Sequence, residues 1–434
     1  MAKVLLQSTN LRMFRATFVG YLYEIAQKHE VVVLADGIDG ETRKSLENTA
    51  MFPGLKNIVA FESPFGGDIF RKNFTMYKTI KSTIRAYKPD VVIAPSDMWL
   101  AEMYLFRLAK RMGAVTLALQ SGFKIGEQKK LLLRSYLDSY GKMPGVLPLL
   151  ARKFLARARK YAGYLVYHWV FPLAVGERPF AGMVSFIFWH ESAGKRDADY
   201  SAVFSKRDRD LSLKDGVRPE KLFLIGHPLE HEAARKFFEK AYSAQGKAKE
   251  SSKILTIMWP EEKFGLRDQD YLMIPQQDIW KRRVFIVKLI SEKLADWKIF
   301  IKPHPAEKEV AQIKESLERI SANISVVNPL EPADKYIEIS QCIVGISLPS
   351  TTLFTAQKQY PGKIILSLNL DNEFLGDSYK DFEGIEYIDT EEKLDQAIHA
   401  IGKGTYRKEG ENTETFDFGS ASELVNYVYA KRIS

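Results

Sequence analysis

The chain has 434 residues, 46% of them hydrophobic and 27% charged, which suits two or three folded domains. That balance excludes a disordered chain or a collagen-like fibre, and the single cysteine, Cys342, excludes an intramolecular disulfide and a thiolate zinc site. The net charge of +9 is concentrated: between Lys129 and Phe180 ten basic residues face only Asp138 and Glu177, a local +8 that fits one anionic surface better than a chain coated for nucleic acid.

The start, Met1-Ala2-Lys3-Val4-Leu5-Leu6, reads as a strand and not as a secretory leader, so the expected compartment is the cytoplasm. Strand-like Val4–Leu6 precedes a helical pattern over Phe14–Lys28. The run Val31–Ala35 reads as a second buried strand, and a helical run over Tyr77–Tyr87 leads to a third at Asp90–Ala94. Trp99–Arg111 has helical spacing, and Gly113–Leu119 closes the series. Continuous β-branched runs separated by helices predict a parallel sheet covered on both faces, a Rossmann-like layer over residues 1–125.

Residues 126–195 break this pattern. Leu149–Leu165 carries apolar residues at 150, 154, 155, 158, 161, 162 and 165, with Arg152, Lys153, Arg157, Arg159 and Lys160 largely on the other side. Tyr161–Val175 has no formal charge, and Pro172 interrupts it, which disfavours a spanning helix. Two readings stand: a basic, aromatic helix lying at an anionic membrane interface, or a helical insertion that buries its apolar face in the protein.

Residues 196–250 read as an inter-domain connection. A second alternating series then fills 251–400. Its strands are expected at Ile254–Met258, Trp297–Ile301, Ile324–Val327, Cys342–Ile346 and Ile364–Ser367, and its helices at Ile279–Ala295, Glu307–Ile320, Ala333–Ser340 and Ser350–Lys358. This is a second doubly wound domain, followed by a C-terminal tail and helix over 401–434. Two such domains place a ligand at the carboxyl edges of their strands, in a cleft that both face.

The chemistry is densest in the second series. Lys302-Pro303-His304-Pro305 follows a strand directly, and two prolines stop the chain at the sheet edge. Lys302 and His304 can meet a phosphate by charge or hydrogen bond; the alternative is a plain turn with a solvated lysine. Strand Ile343–Ile346 runs into Ser347-Leu348-Pro349-Ser350-Thr351-Thr352 and a helix. Free N–H groups, the helix dipole and hydroxyls converge there, which suits phosphate as well as ordinary N-capping.

From Ile301 to Ser367 the chain resembles the donor-nucleotide domain of the HP-motif glycosyltransferases, a group that includes teichoic-acid glycerophosphotransferases, capsule polymerases and bacterial sialyl- and Kdo-transferases. Leu224-Ile225-Gly226-His227-Pro228, after Pro219-Glu220-Lys221, is similar to their inter-domain strand and loop. The resemblance implies a GT-B-like architecture of two Rossmann-like domains. It implies that Lys302, His304, Pro305, Ser347, Ser350, Thr351 and Thr352 hold the nucleotide phosphates. A cytidine nucleotide donor follows from the same resemblance. One departure is visible: where the glycerophosphotransferase branch carries a catalytic His-Gly pair, this chain has Gln120-Ser121-Gly122, and Ser121 is no base without an activating partner.

Asp97, at the end of another strand, is the expected acceptor-side base, although the same residue suits an N-cap. His190-Glu191 is a second candidate, with Glu191 as the carboxylate. Arg267 and Arg282 are available to neutralise phosphate but suit solvated charges better. No Asp-x-Asp motif or helical His pair appears; His227 and His231 are separated by Pro228, and no metal or other cofactor is expected. The expected activity is inverting glycosyl transfer by direct displacement, from a nucleotide sugar to a lipid-linked or membrane-proximal glycan in surface polysaccharide synthesis. The expected location is peripheral, on the inner face of the cytoplasmic membrane. Two alternatives remain: a non-hydrolysing sugar-nucleotide 2-epimerase, and a catalytically silent nucleotide-sugar-binding scaffold.

Overall fold

A computed structural model of the chain describes residues 1–8, 18–36, 46, 51–61, 69–97, 100–120, 173, 194–195, 197–242, 253–260, 276–305, 307–346, 351–360, 362–370, 382, 384–406 and 415–433. They fall into two compact units. The first holds seven strands: β1 (Lys3–Ser8), β2 (Glu30–Asp36), β3 (Leu55–Phe61), β4 (Val91–Ala94), β5 (Val115–Leu119), β6 (Tyr200–Val203) and β7 (Leu222–Leu224). They pair in the order β3-β2-β1-β4-β5-β6-β7, and every pairing is parallel.

Alternation along the strands divides the apolar side chains between two layers. Val4, Leu6, Val31, Val33 and Ile93 point into one core with α1 (Val19–Ala26), α5 (Glu232–Tyr242) and α11 (Ala421–Ile433). Leu5, Val32, Leu34, Val92 and Ala94 point into the other with α2 (Ile69–Tyr87) and α3 (Leu100–Arg111). Burying both faces explains why these strands read as unbroken apolar runs. The strand order reverses at β1, so β1 and β4 lie side by side at the switch point.

The second unit repeats the plan. Its strands are β8 (Ile254–Trp259), β9 (Lys298–Pro303), β10 (Ile324–Val326), β11 (Cys342–Ile346), β12 (Ile364–Leu368) and β13 (Glu386–Ile388), in the parallel order β10-β9-β8-β11-β12-β13. The helices are α6 (Gln276–Lys293), α7 (Val310–Glu318), α8 (Ala333–Ile339), α9 (Thr351–Gln359) and α10 (Glu391–Gly402). Here β8 and β11 form the switch point.

Two expected boundaries differ. The stretch 196–250 is no mere connection: it supplies β6 and β7 to the first sheet, together with α4 (Lys206–Lys214) and α5. The tail 401–434 is divided between the units. Ile401 and Tyr406 pack into the second core, whereas Leu424, Val425 and Val428 of α11 bury against the first sheet. Apolar burial decides this, at about 1.5–3 kcal/mol for each large side chain removed from water. The basic aromatic stretch lies almost wholly outside the described residues. Among the described residues, no helix is long and apolar enough to cross a membrane.

Candidate functional site

The Lys-Pro-His-Pro turn stands at the carboxyl end of β9. Lys302 is 4% exposed, and its Nζ donates to the carbonyls of Pro303 and Pro329, each at 2.9 Å. Burial pushes its pKa down to about 8, against a smaller upward pull from Glu331. The ammonium therefore fastens the end of β9 to the turn that follows β10 and has one hydrogen left to offer.

His304 is held by its backbone. Its N–H donates to the Trp259 carbonyl at 2.9 Å, and its own carbonyl accepts from Glu307 N–H at 2.9 Å. Buried Glu307 accepts in turn from the N–H groups of Lys308 and Glu309 at 2.7 and 2.9 Å. Two prolines and these bonds set the loop after β9, leaving the His304 side chain half-buried and Pro305 exposed. The imidazole is thereby placed on a rigid edge next to the switch-point strand.

On the other side of β8, β11 leads towards α9. Thr351 opens this helix and Thr352 is half-buried in its first turn, while Ser347 and Ser350 lie outside the described residues. Gly345 explains how closely the helix packs on its strand: a Cβ there would lie 2.5 Å from Leu353 Cδ1. His304 and the start of α9 thus belong to loops leaving β9 and β11, which flank β8. That arrangement can hold an anion between an imidazole and a helix N-terminus. Arg282 instead makes an ion pair with Glu391 of α10, and Arg267 lies outside the described residues.

In the first unit the residues expected to do acid–base work carry structural bonds. Asp97 is 0% exposed; its Oδ1 accepts from Gly194 N–H at 2.7 Å, and its Oδ2 from Asp197 N–H at 2.8 Å and Ala198 N–H at 3.2 Å. Through these bonds it ties the chain entering β6 to the end of β4. Gln120 is similarly engaged: its Nε2 donates to Asp208 at 2.7 Å and its Oε1 accepts from Phe204 N–H at 3.0 Å, joining β5 to α4. Ser121, His190 and Glu191 lie outside the described residues.

The Gly226-His227-Pro228 segment is also a structural joint. Gly226 has φ +79°, and a Cβ there would lie 2.8 Å from the Phe416 ring, so glycine is required. His227 caps the 3-10 turn Pro228–Glu230, accepting from Leu229 N–H at 3.2 Å. Buried His231 faces two acceptors: Nδ1 lies 2.8 Å from the Glu24 carboxylate and Nε2 lies 2.6 Å from the Ile225 carbonyl. Burial alone lowers this imidazole, but the Glu24 hydrogen bond and charge, with the Ile225 carbonyl, hold its pKa above the ordinary histidine value. Both ring nitrogens face acceptors, which favours the doubly protonated imidazolium. Glu24 also accepts from Ala421 N–H at 2.8 Å, which anchors α11. No sequence signal pointed to Glu24, since an acid within an apolar helix is legible only when its partner is in place.

Among the described residues no group of three His, Cys, Asp or Glu side chains could hold a metal ion.

With this geometry in view, comparison with known proteins adds a class. Residues 184–369 match the family model of the alpha-2,8-polysialyltransferases (POLYST), a span that takes in β6 to β12 and the His304 loop. No curated protein matches the chain. Among solved structures it is similar to a putative UDP-N-acetylglucosamine 2-epimerase from Listeria monocytogenes, with TM-score 0.57, 13% identity, and 100% of this chain and 97% of that one covered. It is similar to the UDP-GlcNAc 2-epimerase of Neisseria meningitidis bound to UDP-GlcNAc, with TM-score 0.54, 12% identity, and coverage of 99% and 100%. A glycosyltransferase from Rickettsia africae ESF-5 follows at TM-score 0.50, 11% identity, and coverage of 100% and 99%.

At these identities the structures speak for the fold alone: two parallel-sheet, Rossmann-like α/β domains of GT-B type. The family match, with that architecture, supports a transferase of the glycosyltransferase class.

Proposed function

We propose that the chain is an inverting sialyl-type glycosyltransferase of polysaccharide biosynthesis, with a cytidine-monophosphate-activated sugar as donor. The observation that carries this reading is the overlap between the polysialyltransferase match over 184–369 and the edge of β8, β9 and β11, where His304 and the start of α9 flank one strand. In this reading His304 donates a hydrogen bond to a phosphate oxygen, and the N–H groups at the start of α9 donate to the remaining phosphate oxygens. Negative charge grows on the leaving phosphate as the glycosidic bond to it breaks, so these groups favour the transition state. The attacking atom is an acceptor hydroxyl oxygen, whose proton passes to a base; direct displacement inverts the anomeric centre. Lys302 acts at one remove, holding the turn that carries His304. No step requires a metal.

The acceptor in this proposal is a lipid-linked or membrane-proximal glycan, and the basic aromatic stretch Lys129–Trp189 is the means of attachment to an anionic surface. Thermal unfolding with CMP, CDP, UDP and GDP tests the donor: CMP at a hundredfold excess over Kd raises stability by about 2.7 kcal/mol. Stabilisation by UDP alone would overturn the cytidine assignment. Attachment is tested by sedimentation with anionic vesicles, which must weaken but persist in high salt.

A second reading is kept because two of the similar structures are epimerases: non-hydrolysing sugar-nucleotide 2-epimerisation. Formation of the C2 epimer from UDP-N-acetylglucosamine without any acceptor would establish it.

A further inference from the structure

The carboxyl end of β1 carries a side chain that no part of the donor chemistry uses. Gln7 is 0% exposed, yet neither the oxygen nor the nitrogen of its carboxamide has a hydrogen-bond partner among the described residues. Such a group has given up water at both ends without replacement, and folds retain one chiefly where something else completes it.

Its position says what that something is. β1 is the strand at which the first sheet reverses its order, beside β4, and ligands of open α/β sheets bind beyond the carboxyl ends at such a point. The register Leu5↔Val92 and Leu6↔Ile93 brings Gln7 level with Ala94, immediately before the polar pair Ser96 and Asp97. Alternation puts Gln7 on the face of Leu5, towards α2 and α3. On that face the rings of Tyr77 and Tyr104 stack with centroids 3.5 Å apart. At the same end Glu102, in the first turn of α3, is fully buried and accepts a hydrogen bond from the Ser96 hydroxyl.

The chemistry of this group is specific. A carboxamide offers a donor and an acceptor together, and a carboxylate accepts only. A vicinal pair of sugar hydroxyls presents the matching set: each hydroxyl donates one hydrogen and accepts another. A phosphate would be repelled by Glu102, and a bare apolar group would leave Gln7 as unsatisfied as before.

We propose that the carboxyl end of β1 and the first turn of α3 form a sugar-hydroxyl subsite in which Gln7 gives one donor and one acceptor and Glu102 gives a charged acceptor held by Ser96. The subsite rests on the glycosyltransferase reading, which supplies two sugars of the same chemistry, that of the acceptor glycan and that of the activated donor. Titration calorimetry on the full chain separates them. The ligands are an α-2,8-linked sialic acid oligomer, CMP-sialic acid and CMP alone.

The variants are Gln7→Leu, which keeps the shape and removes both polar atoms, and Glu102→Gln. Each is expected to weaken one of the two sugar ligands by tenfold or more and to leave CMP unchanged; the ligand that weakens identifies the source. Gln7→Leu is also expected to hold or raise the thermal midpoint, because it removes two unsatisfied buried atoms, a gain that a purely structural glutamine would not show. Should Glu102→Gln fail to fold, Ser96→Ala serves: it removes the donor that holds the carboxylate in place and is expected to weaken the same sugar ligand. Unchanged affinity for both sugar ligands in folded Gln7→Leu overturns the subsite, as does a wild type that binds neither. A wild type that binds the oligomer but no CMP leaves the subsite standing and removes the cytidine donor instead.

Discussion

The carboxyl edges of the two sheets share a switch-point topology, and Asp97 and Gln120 on the first contrast with His304 on the second. In the first unit Asp97 and Gln120 are buried and spend their acceptors and donors on neighbouring chain segments. In the second, the loop after β9 is stitched by its backbone, so that His304 is left half-buried with its position fixed. The contrast teaches that a polar residue at a strand end is either a fastener or a tool, and that the hydrogen bonds around it decide which. A fastener lost costs stability; a tool lost costs binding.

The largest effect is expected at the strongest fastener. Asp97→Ala strands the N–H groups of Gly194, Asp197 and Ala198 in a buried place, and its expected cost is about 3 kcal/mol in chemical denaturation. Asp97→Asn should recover part of that, because the amide oxygen still accepts. If Asp97→Asn unfolds like wild type but loses turnover on the order of a hundredfold with nucleotide binding intact, Asp97 is a tool after all and the contrast breaks.

A somewhat smaller loss is expected at Glu24→Gln, about 2 kcal/mol, since it removes the charge that faces His231 and loosens the joint to α11. The pH dependence carries a sign. The folded imidazole titrates above its ordinary value, so its contribution is complete below about pH 6.5 and declines as pH rises through the folded value. Tyr21 lies beside this ring, and Glu230 adds a smaller upward pull on it, so Glu24 is the principal countercharge and Glu230 a lesser one. Denaturation midpoints measured from about pH 5 to about pH 9 should therefore fall for the wild type and flatten for the variant. A wild-type midpoint that rises across this range would contradict the imidazolium assignment.

The smallest change in stability, and the clearest in function, belongs to His304→Ala. Its side chain is half-buried and the loop bonds are made by the backbone, so the fold should persist. CMP affinity should fall by at least tenfold, about 1.4 kcal/mol. Unaltered CMP affinity in the folded variant would take His304 out of the donor site and leave the edge of β9 as a second set of fasteners.

How much of this was legible in the chain depends on the range of the interactions. The strands β1, β2, β4, β5, β8, β9, β11 and β12 were readable because burial on both faces writes itself as an unbroken apolar run. The edge strands β3 and β13 mix exposed and buried positions and carry no such signature. The Lys-Pro-His-Pro turn was legible for a local reason: proline restricts the backbone wherever it stands. The same letters could not say that Lys302 turns back to the Pro329 carbonyl, 27 residues on, or that Asp97 meets N–H groups about a hundred positions away. Nor could they show that Glu24 waits for His231 and for α11, or that buried Gln7 has no hydrogen-bond partner among the described residues. Periodicity and proline act through neighbouring residues, so composition and spacing determine the layers and the rigid turn. The role of each polar side chain is set by which distant groups burial brings within hydrogen-bond reach, and only the packed structure decides that.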